Sequence, residues 1–342
     1  MSLLPRRLNV TAVAACLGVC IAASVRDVVA ADAEAAAETH VKPPIVALAV
    51  SPDGNSLVTA SQAGLQPSTL RSQIVNPHAA VFAQDGRALL IGGGEPGQNG
   101  LVELFDWPIS GGSVGPQRSV RIGADSLYSV AWSKDGQWFA VAGLDGVGRV
   151  LERDSGRELV RLEGHSRGLT GIGFLSAGRL VTSSLDGSVR VWDTGNGELL
   201  RTLANHTGPV SGLTVGPVRD PERLRMVASF GADRTVRLWQ PAIGRMVRFV
   251  RLPSRPLAVA WLSNDEIDSE YGGLLLAACL DGGLRAIAAD TVEVLGERSV
   301  LDGPAYCVAV TSNRRVFVAG HGGRIERVDL SALLDGPRAD AE

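Results

Sequence analysis

The feature that most limits how this 342-residue chain can fold is an internal repeat. From residue 41 onward the sequence repeats one unit: an apolar run, a turn, a second apolar run, a glycine turn, a third run and a less regular fourth segment. The spacings between the ends of successive first runs are 32, 50, 42, 41, 46 and 49 residues. These ends are Val50, Phe82, Trp132, Phe174, Val215, Trp261 and Val310. A period of about 43 residues is typical of four-stranded sheets arranged in a ring.

The residues within each unit agree with strands joined by tight turns. In the third unit, an apolar run from Tyr128 to Trp132 is followed by a turn at residues 133–136 and by a second run at residues 137–142. Asp-Gly pairs between such runs are hairpin signals, because both central turn residues often need positive φ. We therefore predict an all-β fold, a seven-bladed β-propeller of four-stranded antiparallel blades, over residues 41–334.

Units four and five share a set of four polar and aromatic residues. Each has a histidine before the first strand, a hydroxyl residue in the second strand, an aspartate in the next turn and a tryptophan in the third strand. These are His165, Thr182, Asp186 and Trp192 in unit four, and His206, Ser229, Asp233 and Trp239 in unit five. The set resembles the signature of WD-repeat propellers, which implies a hydrogen-bonded tetrad in each blade. We therefore predict that these residues are structural, because together they supply matched donors and acceptors.

The other units match this signature less well. Units three and six keep the turn aspartate but have Leu151 and Ile287 at the tryptophan position, and unit two has Asn99 at the turn. Units one and seven match least, since Ala63-Gly64 and Gly322-Gly323 stand at their turns. The residues on either side of the repeats supply no evident fourth strand for the last unit. How the ring closes is therefore left open.

The first thirty residues differ in kind from the rest. Arg6 and Arg7 precede an apolar run, Leu8 to Val25, and small residues follow at 28–31. This order predicts a secretory signal peptide over residues 1–30, and hence a periplasmic or secreted protein. An uncleaved membrane anchor and a lipid anchor on Cys16 are the alternatives, since the run approaches the ~20 residues that span a bilayer. Residues 31–40 are predicted to be a short linker or closing strand, and residues 335–342 a disordered tail.

The charge and cysteine content limit the classes of partner and cross-link. The chain has 33 basic and 36 acidic residues and a net charge of -3, so it has no uniform positive field to attract nucleic acid. After removal of the signal peptide only Cys279 and Cys307 remain. Both lie in apolar runs, where a free cysteine behaves as a small hydrophobe. A disulfide between them is left open.

Metal and cofactor chemistry has little support in the sequence. The chain contains no His-Glu-x-x-His, no Cys-x-x-Cys-His and no phosphate-binding loop with a terminal lysine. The histidines fall in separate units, with His78 and His321 in turns, which argues against a shared metal site. The acidic stretch at residues 265–270 is interpreted as a solvated loop, with a cation-binding or partner-docking loop as the alternative. We predict no cofactor and no bound metal.

Leucine precedes the turn aspartate in three units, at Leu144, Leu185 and Leu280. In the propellers that this sequence resembles, these turns gather around the central channel. The leucines are therefore interpreted either as part of an apolar partner surface or as residues that tuck against the neighbouring blade. Four third-strand arginines alternate with apolar residues and are expected to point away from the core. They are Arg149, Arg190, Arg237 and Arg285.

The predicted function is a non-catalytic scaffold, monomeric by itself, that binds a protein or peptide partner at its channel mouth in the cell envelope. Contact with a membrane is expected only through an uncleaved signal or a lipid anchor. The alternative is an extracytoplasmic propeller enzyme, similar to quinoprotein dehydrogenases or lactonases, with its site at the central channel. Fold alone does not separate the two, but equivalent positions do not supply the three or four ligands that a metal enzyme needs.

Overall fold

The computed structural model describes residues 18–24, 42–61, 70–109, 114–176, 178–217, 225–262, 267, 270, 272–311 and 314–334. The first sheet contains three antiparallel strands in the spatial order β1-β3-β2. Their bounds are β1 (Gly18–Ser24), β2 (Ile45–Val50) and β3 (Ser56–Ser61).

Six further sheets, which we name blades A to F, follow along the chain. In each of them the strands are antiparallel and neighbour one another in chain order. Blade A contains β4 (Pro77–Phe82), β5 (Ala88–Glu95), β6 (Asn99–Asp106) and β7 (Arg118–Ile122). Blade B contains β8 (Leu127–Trp132), β9 (Trp138–Gly143), β10 (Gly148–Glu152) and β11 (Glu158–Leu162). Blade C contains β12 (Leu169–Ser176), β13 (Arg179–Ser184), β14 (Val189–Asp193) and β15 (Leu199–Leu203).

The remaining three blades complete the chain. Blade D contains β16 (Val210–Val215), β17 (Val227–Gly231), β18 (Thr235–Gln240) and β19 (Arg245–Arg251). Blade E contains β20 (Pro256–Leu262), β21 (Leu274–Cys279), β22 (Gly283–Ala288) and β23 (Val294–Ser299). Blade F contains β24 (Ala305–Val310), β25 (Val316–Gly320) and β26 (Ile325–Val328), with a 3-10 turn at His321–Gly323. A short helix, α1 (Leu330–Leu334), follows.

The prediction of seven four-stranded blades is wrong, because the structure has six blades of consecutive strands and only five of these have four strands. Unit one forms the first sheet, which differs from a blade: two of its strands are consecutive and its third, β1, comes from the N-terminal segment. Only 32 residues separate the ends of the first two runs, which leaves too little chain for two more strands. Within that interval the described residues add only an isolated bridge between Leu70 and Val114.

The ring closes by side-by-side packing of first strands. The first strand of each blade packs beside that of the next blade, and β2 packs between β4 and β24. The Cys307 thiol on β24 also lies 3.6 Å from the carbonyl oxygen of Ile45 on β2. In blade F, α1 follows the third strand and packs against β23 of blade E, where Leu330 and Leu333 are buried. The predicted closing segment, residues 31–40, and the predicted tail, residues 335–342, lie outside the described residues.

The hydrophobic core lies between neighbouring blades. One cluster joins Leu90 and Leu104 of blade A to Val130, Phe139 and Val141 of blade B. Alternate strand residues point to opposite faces of a sheet, so both faces of each inner strand pair are buried against an adjacent sheet. The inner strands are therefore continuous apolar runs in the sequence, as in Leu274–Cys279, where every residue is buried.

The strand β1 lies inside the segment predicted to be a signal peptide, and it pairs with β3 so that Val19 is opposite Ala60. Cleavage and export remain predictions. In the described part of the chain, no helix has the length and apolar character needed to cross a bilayer.

We expect Leu333→Ala to lower the free energy of unfolding by about 2–5 kcal/mol, as is usual for a buried leucine that leaves a cavity. Leu333 is 1% exposed and belongs to the core cluster of blades E and F. Leu200→Ala is the control, because Leu200 is 38% exposed on an outer strand, and we expect it to cost less than about 1 kcal/mol. Urea unfolding of both variants measures the difference. Equal stabilities would show that α1 does not pack on blade E.

Candidate functional site at the channel mouth

Every first strand has a β-bulge near its start, and these bulges share one end of the ring. The strand pairing skips one residue in each case; for example, Ile45 pairs with Ser61 and Ala47 with Ala60. A bulge leaves the extra residue unpaired and redirects its side chain. We name the seven extra residues the mouth ring: Val46, His78, Tyr128, Thr170, Ser211, Leu257 and Tyr306.

The mouth ring differs in chemistry around its circumference. The rings of His78 and Tyr128, on neighbouring strands, stack with centroids 4.2 Å apart. Tyr128 and Tyr306 are 39% and 36% exposed. On the other side, Thr170 donates to the carbonyl oxygen of Val210 at 2.9 Å and Ser211 accepts from Arg255. One arc of the mouth is therefore aromatic and the other carries hydroxyl groups.

The loops that surround the mouth are held in blade C by the tetrad that the sequence suggested. His165 Nδ1 lies 2.7 Å from Asp186 Oδ2, and His165 Nε2 lies 2.8 Å from Thr182 Oγ1. The indole N–H of Trp192 donates to Thr182 Oγ1 at 2.8 Å. Because the hydroxyl accepts from the indole, its own proton points to His165 Nε2, which leaves the Nδ1 proton for the aspartate.

Blade D has the same arrangement. His206 Nδ1 lies 2.9 Å from Asp233 Oδ2 and its Nε2 lies 2.7 Å from Ser229 Oγ. Trp239 donates to Ser229 Oγ at 2.8 Å. Each tetrad thus ties the loop before the first strand to the turn between the second and third strands, at the face that carries the mouth ring.

Burial sets the protonation states of the tetrads. It lowers the pKa of His165 and of His206 below the usual value, and their aspartate partners only partly oppose this shift. Burial by itself would raise the pKa of Asp186, but hydrogen bonds from Ser188 and His165 outweigh it and lower that pKa to about 2. Neutral histidine and ionised aspartate are therefore the states at neutral pH.

The expectation that the third-strand arginines point away from the core is wrong for Arg149, Arg237 and Arg285, which are 3%, 7% and 2% exposed. Arg190 is half-buried. In blades B and E the arginine takes the place of the histidine: Arg149 Nη2 lies 2.6 Å from Asp145 Oδ2, and Arg285 Nη2 lies 2.8 Å from Asp281 Oδ2. The arginine of each pair is buried four residues after the turn aspartate, and the aspartate supplies the opposite charge that a buried guanidinium needs. Sequence reasoning overlooked that spacing.

Blade A has no aspartate at this turn. Asn99 stands there, and the acidic residue is Glu103, four residues later on the third strand, where it is fully buried. The Glu103 carboxyl accepts from Ser72 Oγ at 2.5 Å and from the backbone N–H of Gln73 at 2.9 Å. Burial raises the pKa of Glu103, although these hydrogen bonds oppose the shift. Glu103 thus anchors the segment that precedes blade A, and sequence reasoning missed it.

The three leucines before the turn aspartates lie in different surroundings. Leu144 and Leu185 are half-buried, whereas Leu280 is 48% exposed. A Cβ on Gly168, before the first strand of blade C, would lie 2.8 Å from Leu144 Cδ2, so Leu144 packs on the neighbouring blade. The exposed apolar position among the three is Leu280.

The described residues considered for metal or redox chemistry do not form a cluster. Among the described residues, no three His, Cys, Asp or Glu side chains are close enough to hold a metal ion. His78 lies on β4 and not in a turn, because the strand begins earlier than the pattern indicated, and burial lowers its pKa to about 4. Cys279 and Cys307 are buried and free. Of the acidic residues at 265–270, only Glu270 is described, and it is exposed.

Sequence reasoning also passed over one Gly-x-Ser-x-Gly string, at residues 111–115. In hydrolases this string forms a strand-to-helix turn that presents a nucleophilic serine. Here it lies between β6 and β7, two strands of blade A, and residues 111–113 lie outside the described part. The strand-to-strand position does not match the hydrolase context.

Antiparallel blades around a closed ring, with His, Ser or Thr, Asp and Trp tetrads at one face, define a WD-repeat β-propeller. The chain contains WD repeats of this family. The family model described as "WD domain, G-beta repeat" matches residues 117–150, 156–193 and 197–240. These stretches cover much of blades B, C and D, where the two tetrads and the ion pairs Asp145–Arg149 and Asp233–Arg237 lie.

Relatives and a solved structure agree with this assignment. COMPASS component SWD3 of Saccharomyces cerevisiae is 29% identical over 170 residues, which covers 48% of this chain and 52% of the relative. An uncharacterized WD repeat-containing protein of Synechocystis is 32% identical over 101 residues, 29% of each chain. The chain thus spans about half or less of these relatives. The WD40 propeller domain of Doa1 superposes with a TM-score of 0.65 at 15% identity, over 84% of this chain and 93% of that one, which shows a shared fold.

The tetrads predict a pH dependence of stability. Because burial lowers the histidine pKa values in the folded state, the unfolded chain binds protons more readily below about pH 6.5. The stabilisation is complete above that pH and is lost as pH falls toward 5, by up to about 1.4 kcal/mol per pH unit for each histidine. Urea unfolding at pH 7, 6 and 5 measures this slope.

His206→Gln should lower the stability at pH 7 and flatten the slope between pH 7 and 5, because one buried titrating group is gone. The control His321→Gln changes an exposed residue and should leave the slope as in the unmodified protein. A slope that is the same in all three proteins would contradict the neutral, buried state of His206.

Proposed function

We propose that this protein is a non-catalytic scaffold that acts in the cell envelope, is monomeric by itself, and binds a protein or peptide partner with its channel-mouth face. The observation that carries the proposal is the exposure of apolar and aromatic side chains around the mouth: Leu280, Tyr128 and Tyr306 are 48%, 39% and 36% exposed. Exposed apolar groups framed by polar ones are typical of protein interaction sites.

The rigidity of the mouth supports this proposal. Buried tetrads hold the loops and turns of blades C and D, and Asp–Arg pairs hold the turns of blades B and E. A surface that is ordered before binding loses less conformational entropy when a partner arrives. The relatives point the same way, because one is a COMPASS component and another is a guanine nucleotide-binding protein subunit beta, each by name part of a larger assembly.

Leu280→Glu should abolish capture of the partner from envelope extracts, because it places a charge at the exposed apolar position of the mouth. Leu185→Glu should have a smaller effect, since Leu185 is half-buried. The matched control is Leu200→Glu, on the outer strand of blade C, which should leave capture unchanged. Affinity capture followed by mass spectrometry compares the three variants. A partner that binds Leu280→Glu and Leu200→Glu equally well would place its surface elsewhere.

We also propose that residues 1–30 are removed on export. The proposal is supported by the order of charged, apolar and small residues at the N-terminus, and cleavage near Ala30 would free the edge of β3 from β1. The intact mass of the protein purified from its native envelope fraction is expected to correspond to a chain that begins near residue 31. A full-length mass would show that β1 is retained, and a diacylglycerol adduct on Cys16 would show a lipoprotein.

A further inference from the structure

The half-buried side chain of Arg255 lies at the hydroxyl-bearing side of the mouth ring. Arg255, in the loop before β20, donates from Nη2 to Ser211 Oγ at 2.8 Å. Its Nε is buried and, among the described residues, has no hydrogen-bond acceptor. Within this described part of the chain Arg255 forms no ion pair. A guanidinium group has five N–H donors, so its accessible ones are left for a ligand.

The backbone holds Arg255 in place. Pro253 and Pro256 flank it, and proline fixes its own φ and restricts the residue before it. The carbonyl oxygen of Arg255 accepts from the N–H of Leu280 at 2.9 Å, and Ser254 Oγ accepts from the N–H of Asp281 at 3.1 Å. The cation, the Ser211 hydroxyl and the exposed Leu280 are therefore parts of one preorganised patch.

Other arginines extend this positive patch. Arg234 is exposed at the neighbouring turn and donates to the carbonyl oxygen of Pro253 at 3.3 Å. Arg167, exposed before β12, lies 3.5 Å from the carbonyl oxygen of Leu185. We name Arg167, Arg234 and Arg255 the basic arc.

Two aspartates beside the basic arc are already paired with other arginines. Asp233 forms an ion pair with Arg237 and is hydrogen-bonded to His206, and Asp281 forms an ion pair with Arg285. Since the whole chain has a net charge of -3, the positive character is local to this side of the mouth. Charge complementarity therefore favours an acidic partner at this site and not a general affinity for polyanions.

We infer that the mouth binds an acidic peptide segment of the partner, with a carboxylate held by Arg255 and Ser211 and a neighbouring apolar side chain packed on Leu280. This inference rests on the proposed function and adds the chemistry of the ligand to it. Arg255 supplies charged N–H donors, which form strong hydrogen bonds with carboxylates. Ser211 accepts from Arg255 and donates its own proton to the ligand. Arg234 and Arg167 attract the rest of the acidic segment at longer range.

The test is a selection from a random dodecapeptide library displayed on phage, with the purified full chain as the target. We expect the selected peptides to contain Asp or Glu next to an apolar residue, and to bind more weakly as salt is raised from 50 to 300 mM. Fluorescence anisotropy with a selected peptide and with its Gln-for-Glu counterpart then measures the contribution of the carboxylate.

Arg255→Gln should weaken binding of the acidic peptide about 10- to 100-fold, the usual range for a lost charged hydrogen bond. It should not weaken binding of the Gln counterpart further, because the same interaction is already missing. Ser211→Ala should act in the same direction with a smaller effect. The control is Arg248→Gln, an exposed arginine on the outer strand of blade D, which should bind as the unmodified chain does.

Arg234→Gly is a second variant, in which weaker binding would not be explained by misfolding. Arg234 has a φ of 62°, which glycine adopts without strain, and the equivalent turns of blades B, C and E carry glycine. This variant should fold at least as stably as the unmodified chain and bind the acidic peptide about two- to fivefold more weakly, as for an exposed ion pair.

The outcomes separate this inference from the proposed function. Peptides that require Leu280 but lack acidic residues, or that bind Arg255→Gln normally, would overturn the inference and leave the scaffold role standing. Equal competition by an oligothymidine of twenty nucleotides would overturn it too, because the patch would then recognise polyanions in general. A selection that yields no peptide dependent on Leu280 or Arg255 would refute both.

Discussion

The structure depends on a carboxylate placed at the turn between the second and third strands of most blades. This carboxylate accepts from a backbone N–H of its own turn and from a further side-chain donor. Its side chain is 3–14% exposed in blades B, C and D and 41% exposed in blade E. In blades C and D a histidine from the preceding loop supplies that donor. In blades B and E an arginine from the third strand supplies it. Each pairing supplies a partner for a buried charged side chain, which is costly to leave unpaired, and so fixes the turn.

The channel-mouth face repeats one backbone contact in blades B to E. The N–H of the residue before each turn aspartate donates to a carbonyl oxygen in the loop, as with Leu144 to Ser126 and Leu280 to Arg255. The bulged residues of the first strands lie beside those loops. A scaffold built in this way varies its binding chemistry by changing the mouth-ring and loop side chains while the backbone remains the same. Here that variation produces an aromatic arc on one side and the basic arc on the other.

The first and last units of the chain do not form four-stranded blades. Unit one has too few residues for four strands, and unit seven ends in a short helix whose Leu330 and Leu333 are buried. The ring nevertheless closes, because the first strands β2 and β24 pack side by side. Apolar contact between sheets, and not a shared four-stranded blade, joins the two ends. The helix α1 packs on β23, the outer strand of blade E, and partly covers the edge of that strand.

The sequence by itself determined the repeat, the strand and turn order, the tetrads of units four and five, and the family. These features are local: strand periodicity, Asp-Gly turns and fixed spacings are all visible within about forty residues. The tertiary structure decided the number of blades, the closure of the ring, and the burial of Arg149 and Glu103. It also decided which leucine stays exposed and brought Arg255 to Ser211. Each of these depends on contacts between residues of different blades, which pattern and spacing within one repeat do not encode.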